Sequence, residues 1–179
     1  MGGTPPMRRA PAAGALRGFG PIIDAGVRVL ILGSFPSAAS LAAGQYYAHP
    51  RNLFWPILGA ALGEPLAELP YADRPARVLA HGVGIWDVLA ACTRAGSLDV
   101  AIRQPRANDF DSVRRRAPQL HAVLFNGAMA GRYAPQWAAT GLVVRVLPST
   151  SPAHASLSPA RKRAQWLRTL RPLLVHPAR

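Results

Sequence analysis

The ten residues 46–55, Tyr-Tyr-Ala-His-Pro-Arg-Asn-Leu-Phe-Trp, hold four of the chain's 13 aromatic side chains, interleaved with a histidine, an arginine and an asparagine. Aromatic faces stack a base that has left its helix, at ~1–3 kcal/mol per base, and an amide side chain reads or orients polar atoms. Phe54 and Trp55 open a helical stretch and read as core. Tyr46 and Tyr47 stand in a loop bounded by Gly44 and Pro50, among polar neighbours, where a core role is the weaker reading. Metal chemistry has no comparable pattern. The single Cys92 and five scattered histidines give no ligand spacing, the HxE with PCxxC of zinc deaminases is missing, and so is the lysine-bearing P-loop. Hydrolysis without a cofactor fits what remains.

These residues need a frame. Residues 28–33 (RVLILG) are a short apolar, β-branched run ending in glycine, the pattern of a strand buried on both faces. Further strands are predicted around 83–86, at 122–126 and at 142–147. Helical spacing covers 37–43, 53–62, 74–81, a stretch capped by Asp109 or Asp111 and running through Arg116, and 128–137. Ser158, with Pro159 at the first helical position, starts a basic amphipathic helix to about Leu170. Residues 91–108 read as loop and 1–20 as a flexible Gly/Pro/Ala/Arg-rich tail, which leaves 21–179 as one domain. Strands alternating with helices predict an α/β layer fold with a mainly parallel sheet. Ligands of such sheets bind beyond the carboxyl ends of the strands. The four exits are GSFPS (33–37), WDV (86–88), FNG (125–127) and PSTSPAHAS (148–156), and they are expected to meet at one cleft.

Charge points to the ligand. All eight acidic residues lie at or before Asp111, whereas the chain from Ser112 onward carries ten arginines, one lysine and no acid, within a total net charge of +13. A face that basic attracts polyanions. Coding bias explains arginine in place of lysine but not the missing carboxylates. No run approaches the ~20 apolar residues of a membrane span. The segment behind Arg8 and Arg9 is too short for the apolar core of a secretory signal, and a lone cysteine forms no intrachain disulfide. The expectation is a monomer in a reducing cytoplasm, associated with the nucleoid.

GSFPS followed by YYAHPRNLFW, then GIWDVL, GSLD, AND, FNG and LPSTSPA, resembles the uracil-DNA glycosylase superfamily over about residues 20–170. Within it the similarity is to the hypoxanthine-DNA (deoxyinosine) glycosylase branch. The resemblance implies a three-layer α/β/α fold around a central, mainly parallel four-stranded sheet. It also implies excision of a deaminated base, preferably hypoxanthine, from DNA. The mismatch-specific branch carries Asn where Phe35 stands here, and the classical uracil branch carries Asp; both use that group to orient the attacking water. Phe35 cannot polarise water, and the hypoxanthine branch supplies Asn52 instead as the catalytic residue. An amide suffices, because an N-glycosidic bond can break through an oxocarbenium-like sugar that needs only a positioned water and a stabilised leaving base. A loop-capping role before the 53–62 helix is the alternative for Asn52.

The same resemblance assigns base binding to Phe35, Tyr47, Asp87 and Ser149, with Tyr47 stacking on the extruded base. Asp87 either accepts from N1–H of hypoxanthine or, if burial keeps it neutral, donates to the leaving base. Its alternative is to cap a helix beginning at Val88. DNA contacts fall to Ser34, His49, Ser151, Ala153, His154, Arg161 and Lys162. Ala153 holds the position of the wedge that fills the vacated stack, but is small, and His154 beside it is the substitute. His49 alternatively fixes its own loop, and Arg114, Arg115 and Arg116 read as solvated surface. With Lys162 in a surface helix, no lyase step is expected. Competing readings are a uracil- or mismatch-specific glycosylase, a non-catalytic DNA-binding member of the same fold, and a hydrolase of small nucleotides.

Overall fold

The computed structural model describes residues 14–175. In chain order its elements are β1 (Leu16–Arg17), β2 (Val29–Gly33), α1 (Ala38–Ala43), α2 (Phe54–Leu62), α3 (Arg74–Ala80), β3 (Val83–Asp87), β4 (Leu89–Thr93), β5 (Arg103–Ala107), α4 (Phe110–Arg116), β6 (Ala122–Asn126), α5 (Ala128–Gly131), α6 (Pro135–Ala138), β7 (Val143–Leu147) and α7 (Pro159–Leu174). Strands β3, β2, β6 and β7 form, in that order, a parallel four-stranded sheet. The helices cover it to give a three-layer α/β/α fold. Every residue of β2, β3 and β6 is buried, as continuous apolar runs in a parallel sheet require. Edge strand β7 leaves Arg145 and Val146 outside.

Local chemistry sets the helix boundaries. Ser37 Oγ accepts from Ser40 N–H to start α1, Asp109 caps α4 through the N–H groups of Asp111 and Ser112, and Ser158 caps α7 with Pro159 at its first position. The helix expected over 128–137 is instead two single turns. Pro135 has no N–H to continue the first and starts the second. Helix α7 runs on to Leu174. It turns Lys162, Trp166 and Leu170, one stripe at four-residue spacing, inward, and Trp166 meets Phe54 of α2 edge-on at 6.5 Å.

The stretch expected as loop, 91–108, contains two antiparallel strands. β4 pairs with β5, and β1 pairs with β4 through Leu16 opposite Cys92, in a second sheet of order β1-β4-β5. Strand β5 (RQPRA) is exposed at every residue and contains a proline, so it has neither the alternation nor the apolar content by which strands are recognised. Within the 1–20 segment expected as a tail, Leu16 and Arg17 belong to this sheet, and residues 1–13 lie outside the described residues. The chain passes from β3 to β4 without a helix: Val88 N–H donates to Gly33 O and Leu89 N–H to Ser34 O. Asp87 therefore does not cap a helix at Val88.

Candidate active site

The four strand exits meet. Gly33 to Ser37 after β2, Asp87 at the end of β3, Asn126 at the end of β6 and Ser149 to Ser151 after β7 line one cleft of about 740 Å³. Tyr47 and Asn52 from the loop before α2 line it too, with Ala153 and His154. Among the described residues no cluster of three or more His, Cys, Asp or Glu side chains could hold a metal ion.

Asn52 is fixed by its own turn. Its N–H donates to His49 O, and its Oδ1 accepts from Phe54 N–H at 3.0 Å, the first helical residue of α2. The loop-capping alternative is thus part of the observed geometry. It does not exhaust the side chain, because an sp² oxygen has a second lone pair and the amide NH₂ keeps both hydrogens. The contact defines which way the amide faces.

Asp87 is 3% exposed and its Oδ2 has no hydrogen-bond partner. Burial, aided by the nearby Asp99 charge and opposed by Arg94, pushes its carboxyl up to about 7. Tyr47 lies beside it, with its backbone in the left-handed region at φ 55°. Its ring stacks on Phe54 at 3.7 Å between centroids, so the core supports one face of the tyrosine. Its hydroxyl is buried beside Asn126 and makes no hydrogen bond of normal geometry. Burial and the Asp87 charge drive that hydroxyl's pKa upward. Gly33 lets these groups in: a methyl there would collide with both the Asp87 carboxylate and the Tyr47 hydroxyl.

Phe35 is buried at the cleft, with the Arg94 guanidinium 5.2 Å from its ring centre. Ser34 donates its hydroxyl to Asp99 Oδ1 at 2.8 Å, which commits that proton within the protein. Ser149 Oγ accepts from Ser151 N–H, and Ser151 Oγ from Ala153 N–H, each at 3.2 Å. Both hydroxyls only accept in these turns, so both keep a proton to give to a base or phosphate.

Three expected DNA contacts lie elsewhere. His49 does not line the cleft; its Nδ1 accepts from Arg51 N–H, a loop-fixing role. Arg161 is exposed on α7. Lys162 is 3% exposed, and its Nζ donates to Ser151 O at 3.1 Å. Burial lowers its pKa. The expected surface lysine is a buried brace of the 148–156 loop, and the reason is its place on the stripe shared with Trp166 and Leu170.

Asn126 and Thr150 are the residues the sequence reading left out. Asn126 Oδ1 accepts from Thr150 N–H and its Nδ2 donates to Thr150 Oγ1, both at 2.9 Å, while Thr150 O accepts from Leu53 N–H at 3.0 Å. One fully buried threonine thereby ties β6 and the 148–156 loop to the turn that carries Asn52. Polarity at a strand exit was the available signal, and only tertiary pairing gives it meaning. Asn126→Ala strands a buried N–H and a buried hydroxyl. A loss of about 2–4 kcal/mol is expected in urea unfolding, and a loss below 1 kcal/mol would show that water replaces the amide.

The chain is similar to known proteins over most of its length. The family model described as the uracil DNA glycosylase superfamily matches residues 21–174. A protein of Methanosarcina acetivorans named hypoxanthine DNA glycosylase is 39% identical over 151 residues, 84% of this chain and 94% of that protein. One of the same name from Methanosarcina barkeri is 39% identical over 146 residues, 82% of this chain and 92% of its own. A solution NMR structure of a uracil-DNA-glycosylase-like protein from M. acetivorans superposes with a TM-score of 0.80 at 36% identity, covering 89% of this chain and 98% of that one.

Proposed function

The chain belongs to the uracil-DNA glycosylase superfamily, and on that premise we propose that it excises hypoxanthine from deoxyinosine in DNA, without metal or cofactor, as a monofunctional glycosylase. The observation that carries this reading is the meeting of Asn52, Tyr47 and Asp87 at one cleft. The names and 39% identity of the Methanosarcina relatives favour hypoxanthine over uracil.

The flipped base enters beside Phe35 and Tyr47, whose Phe54 backing makes a rigid stacking wall. Asn52 holds the attacking water through the free lone pair of Oδ1. As the bond to the sugar lengthens, the sugar turns cationic and the base anionic. A carboxylate against that base would repel it, whereas a neutral carboxyl stabilises it. Asp87 therefore acts in its protonated form, donating to the departing purine, as its burial supports. Ser149 and Ser151 give their free hydroxyl protons to base and phosphate, and the exposed arginines of α7 lie along the backbone. Lys162, the chain's sole lysine, is spent on the Ser151 carbonyl, so no lyase step follows excision. Among the described residues no helix is long and apolar enough to cross a membrane. We read the protein as a cytoplasmic, nucleoid-associated monomer.

The test is direct. Duplexes carrying one inosine, uracil or xanthine are incubated with the protein and abasic sites are opened with alkali. Cutting at inosine above the other two is expected. Retarded DNA that is never cut would favour the non-catalytic binding reading, and hydrolysis of free inosine alone the small-nucleotide one.

A further inference from the structure

Four large apolar side chains stand exposed among the described residues, and two of them, Leu98 at 55% and Val100 at 81%, share one loop on the rim of the cleft. Several polar side chains around them bond back to the protein. Ser97 Oγ accepts from Ala38 N–H at 2.9 Å, and Asp99 Oδ1 accepts from the Ser34 hydroxyl at 2.8 Å. Arg94 donates to Pro36 O and Gly96 O, while Arg103 donates to the carbonyls of Val100 and Ile102. Ile102 closes the segment by packing into the core. The result is a clamped single turn, Asp99–Ala101, that holds two hydrocarbon side chains out in water on a fixed base. Exposing them costs free energy that an occupant would return.

The surroundings identify the occupant. This loop joins β4 to β5 in the second sheet, whereas the 148–156 loop follows β7 of the parallel sheet. Residues of both loops line the cleft. Arg103 and Arg106 are exposed in β5, which continues the same loop, and with Arg94 they outnumber the Asp99 carboxylate, so the rim has a positive balance around an apolar tip. A duplex with a vacated position offers the complement: phosphates outside, apolar base faces inside. On the 148–156 loop Ala153 has only a methyl, and His154 Nε2 is paired with Ser156 Oγ at 3.1 Å.

We propose that Leu98 and Val100 form the wedge that enters the DNA stack as the target nucleotide leaves it. The wedge comes from the 94–103 loop in place of the 148–156 loop. Its clamping to Ser34 and Pro36, which border the base pocket, and to Ala38 just beyond them keeps the wedge in register with the flipped base. This rests on the glycosylase reading above, and the experiments separate the two.

Wild type and Leu98→Ala/Val100→Ala are compared on inosine in duplex and in single-stranded oligonucleotides. A wedge matters only where a stack must be held open, so the duplex-to-single-strand rate ratio should fall roughly 10- to 100-fold. An unchanged ratio overturns the proposal. A second measurement needs no catalysis: binding to a duplex that carries 2-aminopurine opposite an abasic analogue. The wild type should change the fluorescence and the double variant should leave it as in free duplex. Equal changes in both overturn the wedge. A wild type that excises nothing yet changes the fluorescence overturns the substrate reading alone.

Discussion

Asn52→Ala is expected to lower the excision rate on deoxyinosine by on the order of 10²–10³-fold while leaving the fold intact, the range found when one preorganised polar group is removed from a transition state. Asn52 also holds its own turn. Its Oδ1 also accepts from Phe54 N–H, so the alanine variant loses a turn-stabilising hydrogen bond worth about 1 kcal/mol. That lowers the melting temperature by a few degrees and cannot account for a thousandfold change in rate at a temperature where both proteins are folded. Asn52→Asp separates the two roles further. It keeps an acceptor oxygen in the same turn, and a carboxylate is a better acceptor of a water proton than an amide. Most of the lost rate should return. Single-turnover measurements with enzyme in excess read the chemical step without product release. Wild-type rates in Asn52→Ala would refute the assigned water-positioning role even with hypoxanthine confirmed as substrate.

How far the sequence carried this picture depends on which kind of signal each residue gives. The parallel sheet was legible because β2, β3 and β6 are short, apolar up to their last residue and end in polar turns, and convergence of their exits follows from that topology. Asn52 and Tyr47 were legible as chemistry because aromatics and amides crowd a loop. The second sheet was not: β1 is two residues long, and β5 is exposed throughout, so their pairing leaves no periodic trace. Lys162 was misplaced although its signal was present. Counting four and eight residues on from it reaches Trp166 and Leu170, an apolar stripe that carries the lysine inward with them. Its charge, read alone, suggested a surface. Thr150 and Asn126 form their bonds across 24 residues, and no local pattern in either segment encodes a partner at that distance.

The Asp87 carboxyl yields the second large effect, and it shows in both stability and rate. In the unfolded chain this group ionises near the usual ~3.9, whereas in the fold burial delays ionisation to about 7. Between those two values the native state binds the proton that the unfolded state has released. Stability therefore falls as pH rises, by ~1.4 kcal/mol per pH unit, and the full contribution is present only below ~4. Above 7 the ionised, unpartnered carboxylate costs the fold on the order of 4 kcal/mol. Asp87→Asn removes that penalty. Its amide occupies the place of an oxygen that already lacks a partner, so nothing further is left unsatisfied. The variant should match the wild type near pH 4 and exceed it at pH 8, a gap that urea titrations at the two pH values measure directly. Catalysis follows the same proton. If neutral Asp87 donates to the leaving purine, the wild-type single-turnover rate falls about tenfold per pH unit above 7, and Asp87→Asn, a permanent neutral donor, holds a flat profile from pH 6 to 9. The acceptor role makes the opposite forecast, a wild-type rate that climbs through pH 7 as the carboxylate forms. A rising profile would reverse the assignment of Asp87 from donor to acceptor, with the stability difference between the two proteins unaffected.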